Sequence, residues 1–246
     1  MTGKIVYIYA DESCLGNQFQ DRARPGAAAG LIEQFHERRG WQRRDFAIFE
    51  PDTTNNRMAI RSAIVGLQSL KRPCDVVFTS DSQYLVRGMS DWIHGWARKG
   101  WKRKGGPIEN LEAWRRLAGV ARPHRIEWRW VRGHADHPKN EYANELAIRT
   151  AREGRAIDGL VPSGFDAWIA DQQEGERAIR ATEYDAARAP LDPRPPLPLP
   201  TPGSAPAPPT HARPAQKMRT LMYFLGFSRR SLSSAWISAL LSTRRQ

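Results

Sequence analysis

Cysteine is nearly absent from this 246-residue chain: Cys14 and Cys74 are the only two. Two thiols leave no material for a disulfide framework or a cysteine-rich zinc site, and the usage fits a reducing cytoplasm. Long apolar runs are missing too. No continuous stretch approaches the ~20 residues of a membrane span, and Met1-Thr2-Gly3-Lys4 leads into a short strand-like run without the apolar core and cleavage site of a signal peptide. Acidic residues are scarce beside basic ones, 26 against 38, which leaves a formal net charge of +12. A surplus of that size suits a polyanionic partner, either nucleic acid or an anionic membrane surface, with a merely solvated basic surface as the plain alternative. What is present in quantity is apolar residues, 40% of the chain, enough for a core in one ordinary domain with an extension.

Lys4 to Ala10 (KIVYIYA) is branched and aromatic throughout and predicts a buried strand that delivers Asp11 at its end. A polar turn, Glu12-Ser13-Cys14-Leu15-Gly16-Asn17, comes next. Residues 26–33 and 45–50 read as two further strands, making three antiparallel strands joined by hairpins. Asp52-Thr53-Thr54-Asn55-Asn56 is a capping and turn cluster; beyond it Met58, Ile60, Ala63, Ile64, Leu67 and Leu70 recur at helical spacing and predict a helix over 56–70, ended by Pro73. A strand over 74–79 then carries a second aspartate, Asp81, into Thr79-Ser80-Asp81-Ser82-Gln83-Tyr84. A helix between strands in this order implies a crossover and a mixed sheet. Further helices are expected over 83–89, 90–101, 109–121 and 140–152, and a fifth strand over 125–131.

Composition shifts near residue 153. The expected organisation is a globular domain over 1–153, a polar, weakly helical extension over 154–189, a proline-dominated linker over 190–214 and a basic amphipathic tail over 215–246, the extension as a whole being largely disordered. Leu221, Phe224, Leu225, Trp236 and Leu240 among arginines allow the tail a membrane-surface contact, against the plainer reading of an appendage without function.

Taken in order, strand-Asp11, Thr54-Asn55-Asn56-Arg57-Met58, Thr79-Ser80-Asp81-Ser82-Gln83-Tyr84, the basic tryptophan helix and Trp130-Val131-Arg132-Gly133-His134-Ala135 resemble type 1 ribonuclease H over residues 4–152. The resemblance implies an α/β ribonuclease H-like fold, a five-stranded mixed sheet flanked by helices. It implies endonucleolytic cleavage of the RNA strand of an RNA/DNA hybrid with Mg2+, for which Mn2+ can substitute. Phosphodiester hydrolysis requires an activated water and a stabilised leaving alkoxide in line, which two cations about 3.5–4 Å apart can supply. Magnesium takes hard oxygen ligands. The family accordingly resembles a set of four carboxylates: two strand-end aspartates, a helix glutamate just after Asn-Asn-Arg-Met, and an aspartate early in the last helix.

Two of those four positions differ here, with Ala59 after Met58 and Asn144 in the last helix. Alanine has no ligand atom, whereas asparagine keeps a carbonyl oxygen. The expected metal ligands are Asp11 and Asp81 with Asn144 as an auxiliary. The resemblance assigns His134 to proton transfer as product departs, a task suited to an imidazole titrating near neutrality. His137 reads only as a solvated loop histidine. Among acids that could replace the missing pair, Glu12 follows Asp11 on an extended chain and should face away unless a bulge intervenes. Glu145, next to Asn144, is similarly misdirected, Asp136 lies in the histidine loop and can swing toward the metals, and residues 60–63 offer no carboxylate.

Binding positions are better kept. Cys14, Asn17, Thr54, Asn55, Asn56 and Gln83 match positions where the family contacts sugar edges and phosphates, and amides and hydroxyls suit the reading of 2′-hydroxyls. Thr54 and the asparagines would serve equally as a helix cap, and Cys14 as a buried thiol. Residues 92–104, with Trp92, Lys99, Lys102, Arg103 and Lys104, resemble the basic protrusion that grips the DNA strand in bacterial members. Two functions remain open: a Mg2+-dependent nuclease on RNA/DNA hybrids, expected as a monomer, and a non-catalytic hybrid- or duplex-binding protein on the same fold.

Overall fold

A computed structural model describes residues 5–15, 24–133 and 137–174; the expected linker and tail lie outside the described residues. Strands β1 (Ile5–Cys14), β2 (Gly26–His36) and β3 (Gly40–Glu50) form the antiparallel meander expected from their patterning. Helix α1 (Asn55–Gln68) crosses over to β4 (Asp75–Ser80), which runs parallel to β1, and β5 (Arg125–Trp130) runs parallel to β4. Thr54 caps α1 by accepting from the Arg57 N–H at 3.3 Å, so the polar cluster before the helix does set its start.

Period-two alternation sorts β1 onto two faces. Val6, Ile8 and Ala10 pack with Ala59, Ile60 and Ala63 of α1, with Phe46 and Phe78, and with Trp114 and Leu117 of α4 (Leu111–Ala121). Tyr7 and Tyr9 turn to the other face, where Leu31, Val77 and Tyr142 of α5 (Pro138–Glu153) meet them. Strands β1 and β4 are thus largely buried on both sides, which explains their near-continuous apolar runs, whereas β5 at the sheet edge buries only Ile126 and alternates with charged residues.

Two features depart from expectation. Helices separated at residue 90 are instead one bent run: α2 (Gln83–Arg87), a π turn over Gly88–Trp92, and α3 (Ile93–Arg98). Its cause is packing, because a Cβ on Gly88 would sit 2.0 Å from the Trp114 ring. The indole presses on bare backbone there, and one turn widens to admit it. Trp92, Trp96, Tyr84 and Trp114 then pack ring against ring, with centroids 5.2–5.8 Å apart.

The sheet also has six strands, ordered β5-β4-β1-β2-β3-β6, against the five expected. Strand β6 (Val161–Pro162) pairs with the outer edge of β3, and α6 (Phe165–Glu174) follows it, in a stretch expected to be only polar and weakly helical. Phe165 is fully buried against Tyr142, and the Trp168 indole N–H donates to Glu145 Oε2 at 2.7 Å. Replacing Phe165 by Ala should therefore destabilise the protein by about 3–5 kcal/mol in urea unfolding; a loss below about 1 kcal/mol would show that α6 does not share this core.

Candidate active site

The sheet ends unevenly, and the site lies where it does. Parallel pairing of β1 with β4 stops at Tyr9 and Thr79, while β1 continues to Cys14 beside β2 alone. Asp11 and Glu12 therefore project past the end of β4, next to Asp81, which stands one residue beyond it. Asp81 is held by the turn around it. Its carbonyl accepts from the Trp130 indole N–H at 2.9 Å, the Ser82 N–H donates to Ser80 Oγ at 3.0 Å, and Ser82 caps α2. A Cβ on Gly133 would lie 2.4 Å from Asp81 Oδ2, so the backbone of that residue walls the carboxylate directly.

Asp11 is fixed at both oxygens: Oδ1 accepts from the Glu12 N–H at 2.7 Å and Oδ2 from Asn140 Nδ2 at 2.8 Å. Asp11, Glu12 and Asp81 each bring a carboxylate oxygen to within 4.8 Å of the others. Burial first, and the Asp81 charge second, push the Asp11 carboxyl up to about 8 despite those two hydrogen bonds. Burial raises Glu12 well above the ordinary carboxylate range, with Asp11 and Asp81 adding to it. Glu12 Oε2 is buried without a hydrogen-bond partner. Three mutually repelling carboxylates with an orphaned oxygen form the hard, all-oxygen donor set that a divalent cation fits. When bound there, such a cation would neutralise charge and activate water for phosphodiester hydrolysis.

The placement of Glu12 corrects the expectation that it faces away. No bulge intervenes, since β1 keeps its register on β2 through Asp11–Ala29 and Glu12–Ala28. Alternation does send Glu12 to the α1 side, the side of Ala10 and Ala59. Beyond the end of β4, however, there is no sheet to separate the two sides, so consecutive carboxylates close around one end from opposite faces. Ala59, where the resemblance places a helix glutamate, is fully buried in the core. Two other acids are committed elsewhere, Glu50 to Arg57 at 3.1 Å and to Arg61, and Glu145 to Trp168, whereas the Glu141 charge adds to the upward push on Asp11.

The remaining candidates fall around this end of the sheet or on the adjoining lobe. Asn55 and Asn56 lie in the first turn of α1 with Thr54 as its cap, and Gln83 is the exposed first residue of α2. Cys14 ends β1 half-buried, its thiol raised to about 11 chiefly by burial. Trp92 closes the π turn within the aromatic stack, so packing claims much of it, whereas Lys99, Lys102, Arg103 and Lys104 are exposed. Asn144 is half-buried on α5, one turn beyond Asn140. Asn17, His134 and Asp136 lie outside the described residues. His137 is no solvated loop residue: it is the N-cap of α5, accepts from the Asn140 N–H at 3.4 Å, packs on Tyr9, and is lowered to about 4, chiefly by burial. Asn140 itself was missed, for nothing in a helical asparagine marks its contact with Asp11 across 129 residues.

A sequence model of the RNase H family matches residues 3–152, more than half of the chain. The chain belongs to the RNase H family. It is 43% identical to the Ribonuclease H of Shewanella halifaxensis over 176 residues, 70% of this chain and 98% of that protein. With the Ribonuclease H of Tolumonas auensis it shares 44% over 162 residues, 65% of this chain and 99% of the relative. Among solved structures, LC9-RNase H1 superposes with a TM-score of 0.67 at 41% identity, over 84% of this chain and 99% of that one. That protein is described as a type 1 RNase H with the type 2 active-site motif. The RNase H fold is thus shown, with β6 and α6 lying beyond the residues the family model matches.

For this RNase H, the electrostatics give a pH test. The folded chain holds the Asp11 proton up to about pH 8, while the unfolded chain releases it near 3.8. Without a cation, stability should therefore fall as pH rises between those values. Asp81→Asn removes one cause of the upward shift, so in EDTA at pH 8 its Tm should exceed that of the wild type, and Mg2+ should raise the wild-type Tm alone. Equal pH dependence and equal response to Mg2+ would contradict the cluster.

Proposed function

We propose that this chain hydrolyses the RNA strand of RNA/DNA hybrids endonucleolytically, with Mg2+ held by Asp11, Glu12 and Asp81, and Mn2+ able to replace it. The observation that carries the reading is the trio of carboxylates gathered past the end of β4, with Glu12 Oε2 buried and unpartnered. Relatives named Ribonuclease H at 43–44% identity support the reaction class. LC9-RNase H1, a type 1 RNase H with the type 2 active-site motif, supports a rearranged acidic set within a type 1 chain.

In this reading Glu12 supplies from the strand the carboxylate that Ala59 cannot supply from α1. Asp11 and Asp81 would hold the cation with it, Asn144 would assist from α5, and His134 would move a proton as product leaves. Thr54, Asn55, Asn56 and Gln83 orient the hybrid by its sugar edges, a task the resemblance also gives Cys14 and Asn17, where a 2′-hydroxyl distinguishes RNA from DNA. Trp92 and the exposed Lys99, Lys102, Arg103 and Lys104 attract the opposite strand by its phosphates. The enzyme is proposed to act as a monomer in the cytoplasm.

Cleavage of a hybrid carrying an end-labelled RNA strand tests the proposal. Wild type should cut in Mg2+, and Glu12→Gln should lose about 100-fold or more in kcat with little change in hybrid affinity. Wild type that binds hybrid yet cuts in neither Mg2+ nor Mn2+ would establish the non-catalytic binding protein instead. For the basic lobe, Lys102→Ala should weaken hybrid binding and lower the slope of log affinity against log salt by about 1; an unchanged slope would remove that residue from the interface.

A further inference from the structure

Asn140 is almost fully buried, and its two amide atoms are treated differently by the fold. Nδ2 donates to Asp11 Oδ2 at 2.8 Å, while Oδ1 is buried without a partner. The residue sits in the first turn of α5, immediately after Lys139, whose side chain is completely enclosed. Lys139 Nζ pairs with Glu33 of β2 and stands 5.0 Å from the Tyr9 ring centroid and 5.2 Å from that of Trp41. Glu33 also accepts from Arg43 Nε at 2.9 Å, and Arg43 Nη1 reaches Asp166 of α6 at 2.8 Å. A buried pair of this kind is a weak source of net stability but is costly to break. Its evident effect is to fix the start of α5 against β2 and β3, and with it the amide that follows.

We infer that Asn140 is a positioning residue for the hydrolytic site, an amide that sets the orientation of Asp11 so that its carboxylate faces Glu12 and Asp81, and that Lys139 anchors it. This rests on the hydrolase reading of those three carboxylates. An amide suits the position, since it donates to a carboxylate without adding a fourth negative charge to the cluster. Among the described residues Asp11 is otherwise oriented only by its neighbour's backbone N–H at 2.7 Å, a local contact that leaves rotation about the side chain less constrained than a second bond from α5 does.

Asn140→Asp separates positioning from packing. Aspartate keeps the volume of the side chain but replaces the donor by an acceptor, so it removes the bond to Asp11 without opening a cavity, whereas alanine removes both. Positioning predicts that Asn140→Asp and Asn140→Ala each raise the Mg2+ dissociation constant, measured by calorimetry without substrate, by about 10–100-fold. The same variants should lower kcat by a similar factor, with KM for the hybrid unchanged. Lys139→Met should produce a smaller loss of Mg2+ affinity in the same direction. Mg2+ affinity within about 2-fold of wild type in both Asn140 variants would overturn the inference. So would a loss confined to Asn140→Ala and matched by a fall in Tm. The titration needs no cleavage, so a wild type that fails to cut would count against the hydrolase reading and not against this one.

Discussion

Repulsion among Asp11, Glu12 and Asp81 is the constraint on which the rest of the structure depends. Three carboxyl groups gathered within 4.8 Å, Asp11 buried and Glu12 and Asp81 half-buried, would separate on ionising if their carriers were free to move. Each carrier is therefore held by something stronger than the side chains themselves. Asp11 and Glu12 ride on a strand locked to β2 in unbroken register, and Asp81 follows a strand paired on both sides. Trp130 and the bare backbone at Gly133 close in around Asp81. The fold holds the three groups together by raising the proton affinity of Asp11 and Glu12, and a divalent cation bound there would displace those protons.

Support for this end of the sheet comes from well beyond it. The buried Lys139–Glu33 pair joins α5 to β2, and Arg43 extends the contact through Asp166 to α6. Tyr142 and Asp45 bond to one another, and the Gly164 N–H donates to both. Residues 161–174 thereby complete the face of the sheet that carries α5, rather than trailing from it. The opposite face is closed by α1, α4 and the bent helical run, whose bend follows from the Trp114 ring lying on Gly88.

Most of the fold was legible in the sequence because periodicity reports burial directly. The continuous branched and aromatic run from Lys4 to Ala10 and the helical spacing from Met58 to Leu67 gave the meander and the crossover, with the ends of α1 displaced by a residue or two but β1 ending four residues later, β2 three later and β3 starting five earlier than expected. Strand β6 was illegible, since Val161–Pro162 is too short for any period and is recruited by the edge of β3. The role of Glu12 was half legible. Its face follows from alternation, but whether a face matters depends on where the neighbouring strand stops, which is a property of β4 and not of β1. Lys139 and Asn140 were not legible at all, because their partners are 106 and 129 residues away. A charge and an amide in a polar helical turn look like solvated surface until tertiary structure encloses them.

Ala59 and Glu12 make one physical statement together. In the proposed reading a carboxylate missing from α1 is offered from β1 on the same side of the sheet, so that one donor is relocated, while Asn144 leaves the last-helix position without a carboxylate. The most direct test is to move it back, comparing hybrid cleavage by Glu12→Ala with cleavage by the Glu12→Ala, Ala59→Glu double variant. Relocation predicts that the single variant is nearly inactive and that the double variant recovers at least about 10-fold. A single variant as active as wild type would contradict the account, as would a double variant no better than the single one.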